Sequence, residues 1–366
     1  MITANSGSAS TPPTRSSFSQ LLDQLLAEPA ITPSIAEHLA AVRAELDAPP
    51  QADAPFLSVL MRTQGKRIEP IKDAMLCLAA QVDEDFELIL LAHNVDADTI
   101  SQLEQIVAAY PARFSNRVRV IDVQGGGRGR PLNVGLEEAR GDYVVVFDDD
   151  DIVMADWVER FHEAATISRG RVLRADAALQ KVNETSWPDG RSGFLTHSRA
   201  DAAYRKDFDF ARNYEANQTP FMALAFPASL FKKLGSRVDE SLPVCEDWDL
   251  IVRASSTCGV TEVHALTSVY RRWDSVGHSS YTVHAAEEWQ DAEARIIEKA
   301  NSSVQLFPPG IVVRLSSMLK HEGAAPVLDQ LTSTLSWRVT KPLRTVRGAL
   351  GRALGRARGR LRRFSL

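Results

Sequence analysis

Tyr143-Val144-Val145-Val146-Phe147-Asp148-Asp149-Asp150-Asp151 is the stretch that decides the fold class. Five apolar residues in a row have the length and composition of a strand buried on both faces, which belongs in a parallel sheet covered by helices. The four carboxylates begin where that strand ends. Adjacent carboxylates raise one another's pKa unless a cation neutralises them, and in an open parallel sheet ligands gather at the carboxyl ends of the strands. Carboxylate oxygens suit Mg²⁺ or Mn²⁺, ions commonly held by one or two protein carboxylates together with substrate phosphates. A solvated acidic loop is the other reading of such a run, and the buried strand directly before it argues against that reading.

Upstream, the same alternation recurs. Strands are expected at Phe56 to Met61, Phe86 to Leu91 and Val118 to Val123, with amphipathic helices at Ile68 to Gln81, Ala97 to Tyr110 and Leu132 to Ala139. Successive β-α-β units predict an α/β fold, a Rossmann-like, mainly parallel sheet with helices on both faces. Downstream, residues 170–240 read as loops and short strands, and helical patterns return at Trp248 to Ser255 and Ala285 to Ala300.

Several segments carry chemistry. Gly125-Gly126-Gly127-Arg128-Gly129-Arg130 precedes the helix holding Asn133. Its glycines let backbone amides approach an anion, and Arg128 and Arg130 offset diphosphate charge, or the segment is a surface loop. Glu246-Asp247 opens a helix, where acids also serve the macrodipole. Arg62 either meets a phosphate or pairs with an internal acid.

Taken together, Val59-Leu60-Met61-Arg62-Thr63-Gln64-Gly65-Lys66, Leu78-Ala79-Ala80-Gln81, Phe86 to Leu91, Leu132-Asn133-Val134-Gly135-Leu136, Ala139-Arg140-Gly141-Asp142-Tyr143 and the aspartate run resemble the family 2 glycosyltransferases of the GT-A fold, over roughly residues 56–290. The resemblance implies that Arg62, Thr63, Asn133, Arg130, Asp148 and Asp149 face a nucleotide-diphospho-sugar donor. It places Asp150, with Asp148, on the metal that bridges the diphosphate. It makes Asp247 the general base that deprotonates an acceptor hydroxyl in an inverting transfer, with Glu246 contacting or positioning the acceptor. His278, in the segment after the base helix, is a further metal-ligand candidate. The chain departs from the family pattern at Ala92-His93-Asn94, where an acidic pair is usual, and at Arg62-Thr63-Gln64, where Pro-Thr-Tyr is usual. A nucleotidyltransferase would instead place a phosphate-binding lysine loop after the first strand, and a non-catalytic scaffold on the same fold is the third reading.

The ends of the chain differ in character. Residues 1–17 are rich in Ser, Thr and Pro and are expected to be disordered; 18–54 form two helices and a linker. The catalytic domain is expected over 55–300, with a nucleotide-sugar half (55–155) and an acceptor half (156–300). Residues 301–366 form a helical extension. The formal net charge is −5 over 366 residues, yet from Arg338 onward there are ten Lys/Arg and no acid, so the body carries −15. In the tail Leu343, Val346, Leu350, Leu354, Ala357, Leu361 and Phe364 line one helical face opposite arginines. Such a basic amphipathic helix suits the surface of an anionic membrane. An apolar stripe adds nothing to phosphate-backbone binding, so no nucleic acid is expected. Three scattered cysteines and the lack of a signal-peptide pattern predict a cytoplasmic protein, peripheral at the inner face of the plasma membrane. The resemblance implies a glycan or lipid-linked glycan as acceptor, in bacterial surface-polysaccharide synthesis.

Overall fold

The computed structural model describes residues 15–48, 52–188, 192–273 and 283–322. It divides into two compact units, Met1–Pro308 and Pro309–Leu366. In the second, helix α11 (Ile311–Glu322) is described, and the basic tail predicted at 343–366 lies outside the described residues.

The first unit opens with α1 (Ser17–Leu26) and α2 (Pro33–Leu46). Ser16 caps α1 by accepting from Ser19 N–H at 3.1 Å, and Pro33, with no N–H to lose, starts α2. Buried Arg43 clasps the pair by donating to Asp23 at 2.9 Å. Helix α1 therefore begins at Ser17, inside the stretch expected to be disordered; residues 1–14 lie outside the described residues.

Four parallel strands follow: β1 (Leu57–Thr63), β2 (Phe86–His93), β3 (Val118–Val123) and β4 (Tyr143–Val146). They lie in the order β3-β2-β1-β4. Between them run α3 (Ile68–Ala79), α4 (Ala97–Ala108), the short α5 (Ala112–Ser115) and α6 (Gly129–Glu138). The sheet then continues as β9 (Leu224–Pro227), β6 (Val172–Ser186), β10 (Val260–Trp273) and β5 (Ile152–Val153), with β7 (Ser192–Thr196) and β8 (Asp201–Tyr204) paired to β6. This half is mixed: β9 runs antiparallel to both β4 and β6, while β6 and β10 are parallel. Helices α7 (Trp157–Ile167), α8 (Ala228–Lys232), α9 (Glu246–Cys258) and α10 (Ala286–Asn301) complete the unit.

The fifteen-residue β6 corrects the expectation of loops and short strands over 170–240. Its sequence hides the strand, because Arg174 and Asp176 interrupt a run in which three of the seven apolar members are alanine, a residue depleted in strands. Arg174 is nevertheless 1% exposed, because Glu262 on β10 neutralises it at 2.8 Å.

Alternate residues of each parallel strand feed two cores. Val59, Met61, Leu88, Leu90 and Val145 pack with α3, α4 and α7, whereas Leu60, Ile89, Leu91, Val144 and Val146 pack with α6 and α9. Gly135 lets α6 approach: a Cβ there would stand 2.9 Å from Leu91 and 3.0 Å from Leu60. Glu87, 2% exposed, ties the sheet to the turn before β4 by accepting from the Ser58 hydroxyl at 2.7 Å and from Arg140 Nη2 at 2.7 Å.

Candidate functional site

Strand order reverses between β2-β1 and β4, so a crevice opens at the carboxyl ends of β1 and β4. Arg62 and Thr63 come from β1, the aspartate run from just beyond β4, and Glu246 and Asp247 from the first turn of α9. The cleft has a volume of about 240 Å³, and Arg62, Asp148, Asp151, Glu246 and Asp247 all line it.

Arg62 pairs with internal acids. Its Nε donates to Asp148 at 2.9 Å and its Nη1 to Glu246 at 2.7 Å, so one guanidinium spans the aspartate run and the base helix. Those two anions also hold its pKa above the ordinary arginine value, against the effect of burial. Glu246, with only 3% of its side chain exposed, accepts from Arg128 Nε at 3.1 Å as well. Burial alone raises a carboxylate's pKa, but Arg128 and Arg62 overcome it and hold Glu246 down at about 2.

Asp247 has the opposite environment. Burial, then the neighbouring charge of Glu246, push its carboxyl up to about 6. Two adjacent acids are thus driven apart, one a permanent anion and the other a group that exchanges its proton near neutrality, the pattern of an acid/base site. The local chain explains the split. Cys245 takes a left-handed backbone (φ 62°) just before α9, and Glu246, which meets Arg62 and Arg128, lines the cleft beside Asp247. Macrodipole stabilisation of first-turn acids holds here too, but it does not account for the arginine pair beneath Glu246.

Each member of the aspartate run meets a different partner. Thr63 Oγ1 donates to Asp149, Arg67 Nη2 reaches Asp150 at 2.6 Å and Asp149 at 3.8 Å, and Asp151 accepts from the Arg271 N–H at 2.7 Å. Burial raises Asp149 to about 7, and burial likewise raises Asp150 and Asp151; the neighbouring carboxylates add to the shift in all three. Arg62 and Arg67 alone therefore do not keep all of these carboxyls ionised, and their charged form is disfavoured where no further cation sits beside them. Among the described residues no three His, Cys, Asp or Glu side chains converge as a metal cage. A divalent ion would take one or two of these carboxylates and complete its shell with phosphate and water, the usual arrangement for Mg²⁺.

Other predicted residues lie apart. Asn133 is buried and spends its amide on the chain before α9, donating to Val238 O at 3.0 Å and Glu240 at 2.8 Å and accepting from Val238 N–H at 2.9 Å. Arg130 is half exposed and 3.9 Å from Glu240. His278 lies outside the described residues. His93 and Asn94 pin the glycine segment: His93 Nε2 is 3.0 Å from Gly125 O, and Asn94, itself left-handed at φ 54°, accepts from Gly125 N–H at 2.6 Å. Arg67 and Asn217 escaped the sequence reading. Arg67 follows β1 and stacks on Trp273 at 4.5 Å; its position just past a strand end is a signal, but nothing in the spacing says which acids it meets. Asn217 donates to Asp247 at 2.7 Å from a segment with no motif at all.

Comparison with known proteins bears on the family and the fold. The profile of the glycosyltransferase like family 2 matches residues 74–287, more than half the chain. An uncharacterized glycosyltransferase of Methanocaldococcus jannaschii is 26% identical over 110 residues, 30% of this chain and 37% of that one. The poly(ribitol-phosphate) beta-N-acetylglucosaminyltransferase TarS of Staphylococcus aureus is 33% identical over 69 residues, 19% of this chain and 11% of that one. A crystal structure of S. aureus TarS 1-349 with UDP-GlcNAc superposes with a TM-score of 0.51 at 18% identity, covering 66% of this chain and 65% of that one. The chain thus spans less than two thirds of these relatives, and at such identity the superposition speaks for the fold alone.

Proposed function

The chain belongs to the glycosyltransferase family 2, and we propose that it moves a sugar from a nucleotide-diphospho-sugar to an acceptor hydroxyl with inversion at the anomeric carbon. The observation that carries this reading is the single guanidinium of Arg62, which ties Asp148, at the expected donor end, to Glu246, next to the expected base. Donor and acceptor machinery are thereby held at one cleft.

In this reading Asp247 takes the proton of the acceptor hydroxyl as that oxygen attacks the anomeric carbon and the nucleoside diphosphate leaves from the opposite face. A pKa of about 6 suits a base working near neutral pH. Glu246 stays ionised and fixes Arg62 and Arg128. Asp148 and Asp150 would hold Mn²⁺ or Mg²⁺, which supplies Lewis-acid stabilisation of the departing diphosphate. The crowding of Asp149, Asp150 and Asp151, which raises all three carboxyls, supports a further cation at this corner that would favour their ionised form. UDP-GlcNAc, the donor bound in the superposed TarS structure, is the first sugar nucleotide to test. For the acceptor we favour a glycan, lipid-linked and presented at the inner face of a bacterial plasma membrane, on the strength of the basic amphipathic tail sequence. No helix among the described residues is long and apolar enough to cross a membrane.

The test is product analysis with UDP-, GDP- and dTDP-sugars in the presence of Mn²⁺, Mg²⁺ or EDTA. Release of nucleoside diphosphate is expected, lost with EDTA and at least a hundredfold weaker in Asp150→Ala, an order of magnitude in line with removal of a main charge-stabilising group. Release of pyrophosphate would mark a nucleotidyltransferase, and no turnover of any donor would mark a scaffold.

A further inference from the structure

The carboxylate of Asp247 is held from two sides. Oδ1 accepts from the Trp248 N–H at 2.7 Å within α9, and Oδ2 accepts from Nδ2 of Asn217 at 2.7 Å. Asn217 is itself oriented: its Oδ1 accepts from the Thr219 N–H at 3.1 Å, so its NH₂ faces the carboxylate. Thr219 is 1% exposed, and its hydroxyl accepts from Arg174 Nε at 2.7 Å. Arg174 plays no part in the cleft, yet its remaining donors reach Glu262 on β10 at 2.8 Å and Tyr204 O at the end of β8 at 3.2 Å. A guanidinium buried among three strands therefore anchors a threonine, which sets an asparagine, which grips the acid.

We propose that Asn217 is the positioning residue of the general base, with Arg174 and Thr219 as its anchor in the sheet. The inference rests on reading Asp247 as that base. Each carboxylate oxygen accepts one fixed donor and keeps a lone pair for the incoming proton, which sets the direction of attack. The amide donor also favours the ionised form, opposing burial. The titratable and charged groups that line the cleft with Asp247 are Glu246 and Cys245 at the start of α9, Arg128 before α6, Arg62 on β1, Asp148 and Asp151 beyond β4, Tyr204 on β8, Tyr270 on β10 and Glu293 on α10. Changing Asn217 leaves all of these in place.

The experiment is a ¹³C titration of the full chain labelled at the aspartate carboxyl carbon, with the Asp247 signal identified by its loss in Asp247→Asn. The wild-type midpoint is expected at about 6. In Asn217→Ala it should rise by about one pH unit, the scale of one lost hydrogen bond to a charged group. Thr219→Val, which keeps its backbone N–H, should give a smaller rise and guards against misfolding in the first variant. Hydrolysis of UDP-GlcNAc is followed alongside. A midpoint unmoved in Asn217→Ala, with Asp247→Asn inactive, would overturn the Asn217 assignment alone. Full activity in Asp247→Asn would overturn the base reading, and the role of Asn217 with it.

Discussion

Lowering the pH from 8 to 5 should cost this protein about elevenfold in kcat/KM through Asp247, to which any share from Asp149, raised to about 7, adds. The figure follows from the environment of Asp247, whose carboxyl is pushed to about 6 by burial and by the fixed charge of Glu246. A base works deprotonated, so activity rises with pH through that pKa. At pH 8 about 99% of such a group is ionised and at pH 5 about 9%. An ordinary aspartate near 3.8 would still be about 94% ionised at pH 5 and would give an almost flat profile. Glu246 contributes nothing to this limb, because its arginine partners hold it at about 2. The assay is chromatographic measurement of released nucleoside diphosphate under kcat/KM conditions, with circular dichroism confirming a folded chain at every pH. Asp247→Asn should lower the rate by roughly 10²–10⁴ and remove the Asp247 share of the limb, leaving only what Asp149 contributes. A flat wild-type profile between pH 8 and 5 would refute the argument.

Two further expectations concern other parts of the chain. Arg62→Leu removes the cation shared by Asp148 and Glu246, leaving Glu246 with Arg128, and should destabilise the fold by about 3 kcal/mol in urea unfolding, while Arg62→Leu/Glu246→Gln recovers part of that loss; additivity of the two single variants within about 0.5 kcal/mol would show that the bridge carries no coupling. Deleting residues 343–366 should release the protein from phosphatidylglycerol vesicles, with binding by the full chain weakening as salt rises; equal sedimentation of both forms would rule out the tail as anchor.

The legible part of this protein was its periodic part. Continuous apolar runs such as Val144 to Phe147 have few ways to be buried, and helices between them force parallel pairing, so β1 to β4 follow from pattern alone. The acids beyond Phe147 and at the head of α9 were equally visible, because a strand end and a helix start are positions that sequence marks. Strand β6 was not, since Arg174 reads as a solvent residue until Glu262, 88 positions later, is placed beside it.

Partnership across the chain is what the tertiary structure alone decided. The sequence offered Arg62 a phosphate or an acid, and the fold gave it Asp148 and Glu246, 86 and 184 residues away. It offered Asn133 a donor, and the fold set it to hold the loop before α9. It was silent on Arg67 and Asn217, which the fold brought to the acids. Hydrophobic periodicity is a local property written along the chain, whereas the pairing of a charge depends on which distant groups the folded sheet delivers within about 3 Å.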